Sequence, residues 1–198
     1  MTMETKRSEY LSCAETAKIV RQALKTAFPG VKCSVRSGVY GGGASIGGRY
    51  TDGPRERDVK SVCEAYAGGR FDGMIDLAYK VFHYLRADGT VMLARDPGTL
   101  GNGGSNPGGA NTFLEVVLPA DARLVRFGAD YVFVQREVSD HDAKYDQAVA
   151  WCQAHLLLDG EYPHQRFGNP WILDLARSMV HVSVEGETWR DAFEVVTG

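Results

Sequence analysis

The sequence predicts an α+β fold. Three observations predict it. Helical periodicity opens the chain at Ser12–Phe28 and returns after Ser139, two-residue alternation marks strands near Val31–Ser37, and an apolar, aromatic run fills Leu124–Val138. Read in order these give helix, hairpin, helix, strands, helices. Strands and helices are thus segregated, as in a mixed or antiparallel sheet with helices on one face.

The first helix is announced by the capping box Ser12-Cys-Ala-Glu15. Cys13, Ala17, Val20, Leu24 and Phe28 share one face, and Pro29-Gly30 stops the helix. Val31, Cys33 and Val35 then alternate with Lys32, Ser34 and Arg36, the pattern of a half-buried strand. Gly38–Gly43 reads as a long, flexible hairpin tip, with Ala44–Thr51 as the return strand. Asp52-Gly53-Pro54 opens a second helix, with Pro54 near its first position, Val59, Val62, Cys63 and Tyr66 on its apolar face, and Gly68-Gly69 at its end.

Phe71–Asp76 reads as a compact turn. Val81–Leu85 and Val91–Ala94 follow as strands joined at Ala87-Asp88-Gly89, and Pro97–Asn111 as a long exposed loop. Leu124–Phe127 and Tyr131–Val134 read as central strands. Ser139–Asp142 reads as a second capping box, leading a helix with Tyr145, Ala148, Val149, Cys152 and Leu156 inward. After a polar connection at Glu161–Gly168, Asn169-Pro170 starts a helix carrying Ile172, Leu175, Ala176 and Met179. Val180, Val182 and Val184 alternate as a short strand, and Trp189, Phe193 and Val196 form a last helical turn. The expected organisation is an α+β domain over residues 1–138 and a mainly helical extension over 139–198, packed on that domain.

The 198 residues carry 44% hydrophobic and 24% charged side chains, enough to bury a core. A net charge of −3 argues against a dedicated duplex-DNA binder and against a strongly acidic DNA mimic. The polar start, Met1–Tyr10, has the character of neither a secretory signal nor a transit peptide. No apolar run approaches the roughly 20 residues of a membrane span. Cys13, Cys33, Cys63 and Cys152 form no C-x-x-C pair and read as reduced, mostly buried thiols. The expectation is a cytoplasmic protein with no membrane partner.

Several constellations invite chemistry. Gly38–Gly48 is glycine-rich but lacks the Gly-Lys-Ser/Thr of a phosphate loop and sits in a hairpin, not before a helix. Cys152 and His155 have helical spacing for zinc, but His141, His164 and His181 show no paired spacing to complete a site. Asp72 and Asp76 flank Gly73-Met74-Ile75 closely enough for metal or acid–base work, although Asp72 equally orders a turn through its own backbone. Cysteines on apolar faces and the absence of a G-x-S-x-G elbow argue against nucleophilic catalysis. No cofactor and no metal are expected. Arginines interleaved with aromatics, namely Arg36, Tyr40, Arg49 and Tyr50, then Arg123, Arg126, Tyr131 and Arg136, partly match a single-strand nucleic-acid surface. Tyr and Arg anchor protein partners equally well. The candidate partner-binding set is Tyr40, Gly42, Arg49, Tyr50, Asp72 and Asp76.

Six segments recur in a familiar order: Tyr10-Leu-Ser-Cys-Ala-Glu-Thr-Ala-Lys18, Phe28-Pro-Gly-Val31, Gly42-Gly-Ala-Ser-Ile46, Tyr50-Thr-Asp-Gly-Pro54, Phe71-Asp-Gly-Met74 and Phe127-Gly-Ala-Asp-Tyr-Val-Phe133. As an ordered set, spanning Tyr10 to Val138, they resemble one of the large polyvalent-protein-associated domain families. That resemblance implies a setting in phages and conjugative elements, whose polyvalent proteins enter a host with incoming DNA and protect it against defence systems. It brings no catalytic residue, and the segment after Ser139 lies outside it. The expectation is a binding-type counter-defence factor, an anti-CRISPR or anti-restriction-like inhibitor of a host defence protein or protein–nucleic acid complex. The alternatives are a single-stranded nucleic-acid binder that protects incoming DNA and an enzyme that modifies a defence component.

Overall fold

The computed structural model describes residues 8–95, 98–99, 120–156 and 170–198. Most of the Pro97–Asn111 segment, all of Glu161–Gly168, and Asn169 lie outside them. The fold is α+β. Its elements are β1 (Glu9–Leu11), α1 (Cys13–Ala27), β2 (Ser34–Tyr40), β3 (Gly43–Thr51), α2 (Glu56–Glu64), β4 (Gly69–Asp72), β5 (Leu77–Lys80), β6 (Phe82–Leu85), β7 (Val91–Arg95), β8 (Arg123–Phe127), β9 (Tyr131–Glu137), α3 (His141–Leu156), α4 (Pro170–Val182) and α5 (Trp189–Thr197). The chain divides into two units. The first runs to Arg49 and resumes over Val59–Gln135; the second comprises Tyr50–Asp58 and Arg136–Gly198.

In the first unit α1 begins as its sequence dictates. The Ser12 hydroxyl accepts the Glu15 N–H, and the Glu15 carboxylate accepts the Ser12 N–H at 2.8 Å. Cys13, Ala17, Val20 and Leu24 are buried. The helix lies against β2: Arg21 donates to the Val35 carbonyl at 2.8 Å, and the Cys13 thiol reaches the Ser45 carbonyl at 3.4 Å. One sheet has the order β1-β8-β6-β7, with β1 parallel to β8 and β6 antiparallel to both neighbours. Phe127, Val125 and Leu85 are buried on its strands; each fully buried aliphatic or aromatic side chain contributes about 2 kcal/mol. A second sheet has the order β2-β3-β9 and a third pairs β4 with β5.

Several boundaries differ from expectation. The first predicted strand starts at Ser34, not Val31, and continues to Tyr40. The hairpin tip is consequently not long: Tyr40 pairs with Gly43, leaving a two-residue turn in which the Gly42 N–H donates to the Tyr40 carbonyl at 2.7 Å. Asp52 and Gly53 take left-handed backbone (φ 56° and 69°), so α2 starts at Glu56 and Pro54 precedes it. Gly68 and Gly69 do not cap α2, which ends at Glu64; the Gly68 N–H instead donates to the Ala129 carbonyl at 2.8 Å. Strands β1, β4 and β5 have no expected counterpart. Tyr131–Glu137 is an edge strand of its sheet among the described residues, not a central one. Cys33 is half-buried rather than buried.

In the second unit α3, α4 and α5 enclose a separate core of Ala148, Cys152, Ile172, Leu175, Ala176, Met179, Val180 and Ala192. Val180 and Val182 belong to α4, not to a strand: Val180 extends the buried face of Ile172, Leu175, Ala176 and Met179. Ser139 is not a helix cap either. Its hydroxyl and N–H both donate to the Asp52 carboxylate, and Asp140, at φ 51°, supplies the carbonyl that accepts the Lys144 N–H. Among the described residues no helix is long and apolar enough to cross a membrane.

Candidate functional site

The three-stranded sheet has an inner face, buried along β3 and at Val35 of β2, and an open face, and alternation decides which side chains each receives. Along β3, Ala44, Ile46, Gly48 and Tyr50 are buried, while Gly47, Arg49 and Thr51 are exposed and Gly43 and Ser45 half-exposed. Antiparallel pairing of β2 sets Arg36 opposite Gly47, Gly38 opposite Ser45 and Tyr40 opposite Gly43, all on the open face. On the other side of β3, the Asp130 N–H donates to the Ala44 carbonyl and the Asp52 N–H to the Glu137 carbonyl. Residue numbers rise together across these two contacts, so β3 and β9 run parallel. Tyr131, Phe133 and Gln135 therefore share the open face, and Val132 and Arg136 turn inward.

The middle of this face is nearly bare. Among the described residues, a Cβ added at Gly38 or Gly47 would meet no heavy atom within 4 Å. Aromatic and cationic groups stand on either side. Phe133 is 60% exposed and stacks on Tyr131, ring centroids 5.9 Å apart; Tyr40 is 51% exposed and its ring lies over Gly43. Arg36 and Arg49 are exposed. Beneath the Tyr40 end sits Asp130, buried, whose carboxylate accepts the Ala44 N–H at 3.2 Å and pairs with Lys80. This carboxylate links the β2–β3 hairpin to β5 and the β8–β9 connection, so the face is carried on hydrogen-bonded backbone.

The structure thus sorts the predicted residues. Tyr40 and Arg49 lie on the open face, near opposite ends of the hairpin, and Gly42 is exposed in its turn. Tyr50 does not join them: it is 3% exposed and its hydroxyl donates to the Pro54 carbonyl at 3.0 Å. Asp72 is 2% exposed and accepts the Met74 N–H at 3.0 Å, which is turn-ordering geometry. Asp76 is exposed in the turn at φ 53°. The second arginine–aromatic set disperses: Arg123 pairs with Glu9 at 2.7 Å, Arg126 lies 5.2 Å from the Tyr10 ring centre, and Arg136 is buried. Phe133 is the residue sequence reasoning missed; its alternation with Val132 and Val134 is the signal that could have found it.

Other candidate chemistry is spoken for. Cys152 is buried with its sulfur 3.5 Å from that of Met179, while His155 is exposed and stacks on Trp151 at 4.4 Å, so the two do not converge. His141 and His181 do approach, ring centres 5.7 Å apart, but among the described residues no three His, Cys, Asp or Glu side chains gather as metal ligands. Burial pushes the Cys63 thiol up to about 12 and raises those of Cys13, Cys33 and Cys152, which makes poor nucleophiles of all four. In the second unit a cleft of about 340 Å³ is lined by Asp52, Arg136, Ser139, Lys144, Ser183 and Glu185. Its main donors are engaged: Ser139 and Lys144 bond Asp52, holding that carboxyl below its usual range, and Arg136 bonds three backbone carbonyls.

Inside the four-stranded sheet His83 is 5% exposed, packs 5.0 Å from Phe127, and its Nδ1 has no hydrogen-bond partner among the described residues. Burial, aided by Arg70, lowers its pKa to about 4. The unfolded chain takes that proton at about 6.5. Stability is therefore full above pH 6.5 and falls as pH drops from 6.5 toward 4. Between about pH 7.5 and pH 5 the loss should be about 2 kcal/mol. Denaturant titrations at both values should show it, and His83→Leu should remove it; an undiminished loss in that variant would assign the effect elsewhere.

No curated protein and no solved structure matches the chain. The family model of large polyvalent protein associated domain 29 matches residues 11–139, which carry the last residue of β1, α1 and the open sheet, and the chain belongs to that family.

Proposed function

We propose that this protein is an accessory factor of mobile genetic elements that acts by binding, masking a host defence protein or protein–nucleic acid complex in the manner of an anti-CRISPR or anti-restriction inhibitor. The supporting observation is the open face of β2-β3-β9, where Tyr40, Phe133, Arg36 and Arg49 are exposed around a bare glycine floor. Tyr and Arg are over-represented among the residues that dominate binding energy, and a rigid sheet presents them with little ordering cost. Family membership supplies the setting. On this reading the factor acts in the host cytoplasm, where incoming DNA meets its defences.

The test is affinity capture of the tagged full chain from bacterial lysate, with and without nuclease, beside the variant Phe133→Ala/Arg49→Ala. The expected result is a near-stoichiometric host protein or protein–nucleic acid complex that the variant fails to retain. Capture that is equal for both chains would overturn the assignment of the face, and no specific capture from any susceptible host would overturn the inhibitor reading.

A further inference from the structure

We propose that the open sheet face takes a single-stranded nucleic acid, its bases stacking on Phe133 and Tyr131 and its phosphates held by Arg36 and Arg49. This rests on the reading of that face as the binding surface and names the chemistry it recognises.

The geometry favours bases over a peptide or a duplex. Phe133 and Tyr131 form one continuous aromatic step, tilted by only 23° to each other. Gly47 lies between Phe133 on β9 and Arg36 on β2, so these two side chains stand on either side of an empty strip. With neighbouring strands about 4.8 Å apart, their Cα atoms are separated by about 10 Å. A flat ring can lie on that strip because no side chain rises from Gly47 or Gly38. A bulky residue at either position would fill the space. Every base has a π face, so such a platform is tolerant of sequence. Unpaired bases are required, because a paired base in a duplex has no free face to offer.

Charge agrees with this on the local scale only. Arg36 and Arg49 project from the same face on adjacent strands, whereas the whole chain carries −3. Two cationic contacts beside a net-acidic body give modest affinity with a shallow salt dependence. For two phosphates on a single strand the slope of log K against log salt is about −1.4. DNA and RNA share the phosphates and the base π faces that this face would read, and differ at the 2′-hydroxyl and the thymine methyl.

The experiment is fluorescence anisotropy of the full chain with a labelled dodecamer of deoxyuridine and with the matching oligouridine, from about 50 to about 200 mM salt. Phe133→Ala, Arg36→Ala/Arg49→Ala and, as a control on another sheet, Phe71→Ala are measured beside the wild type. Phe133, Arg36, Arg49 and Phe71 are exposed, so the variants should keep the wild-type melting temperature. The expected result is saturable binding, weakened about tenfold by Phe133→Ala, with the salt slope abolished in the arginine variant and nothing changed by Phe71→Ala. Preference for one oligonucleotide identifies the strand as DNA or RNA. Absence of saturable binding to both, or binding indifferent to Phe133→Ala, would overturn the inference. If a nuclease-resistant host protein is then still captured through this face, the occupant is a protein and the inhibitor reading stands without the nucleic acid. Oligonucleotide binding without any captured protein would leave this inference standing and remove the inhibitor reading.

Discussion

Replacing Arg136 with alanine should lower the stability of the second unit by about 3 kcal/mol. Arg136 is 7% exposed, and its guanidinium donates to the His181 carbonyl at 2.8 Å, the Ser183 carbonyl at 2.7 Å and the Asp52 carbonyl at 3.3 Å. The first two are at the end of α4, where backbone carbonyls have no partner within the helix and carry its partial negative charge. Arg55 completes the arrangement by donating to the intervening Val182 carbonyl at 3.1 Å and pairing with Glu187. Truncation leaves partly buried acceptors without the donor that satisfied them, and each such loss costs about 1 kcal/mol. Arg136→Lys should recover less than half of it, because a single ammonium cannot fork between two carbonyls. All three tryptophans, Trp151, Trp171 and Trp189, belong to this unit, so indole fluorescence during denaturant unfolding reports on it directly. A loss below about 1 kcal/mol would mean that water replaces the guanidinium without penalty.

Gly68→Ala should be comparably damaging in the first unit. A Cβ there would lie 2.0 Å from the Phe127 carbonyl oxygen, 2.9 Å from its carbon and 3.2 Å from the Ala129 oxygen. All three are backbone atoms and none can rotate away. Either the end of β8 moves or Gly68 gives up its bond to Ala129, and we expect a cost of about 3 kcal/mol. Thermal unfolding by far-ultraviolet circular dichroism should show it. Gly47→Ala, where the added methyl meets nothing, should leave the midpoint close to wild type. Similar midpoints for the two variants would contradict this account of Gly68.

How much of this was legible follows from how local each signal is. The helix α1 was readable because its cap, apolar period and stop lie within one short segment. The strands β1, β4 and β5 were not: they have three or four residues each and show no apolar alternation, so pairing makes them, β1 with the distant β8 and β4 with β5 across a short turn. Val180-His-Val-Ser-Val184 reads as a strand on β-branched content, but burying Val180 beside Met179 and Ala176 outweighs a propensity difference of a few tenths of a kcal/mol. At the site, Arg49 and Tyr50 are adjacent in sequence, and adjacency in a strand means opposite faces; only Arg49 could reach a partner. The contribution of Phe133 depends on parallel pairing of β9 with β3, a contact between segments about 86 residues apart that no local pattern encodes. Asp52 shows the same limit. It looked like a helix start, and instead its carboxylate gathers Ser139 and Lys144 from far along the chain.

The central claim, that the open face of β2-β3-β9 is the binding surface, is tested most directly by one comparison. Wild-type chain and Phe133→Ala/Arg49→Ala, matched for melting temperature, are used to capture partners from the same lysate, and the retained proteins and nucleic acids are quantified. The account predicts a specific partner held by the wild type and lost by the variant. Equal retention by both would contradict it.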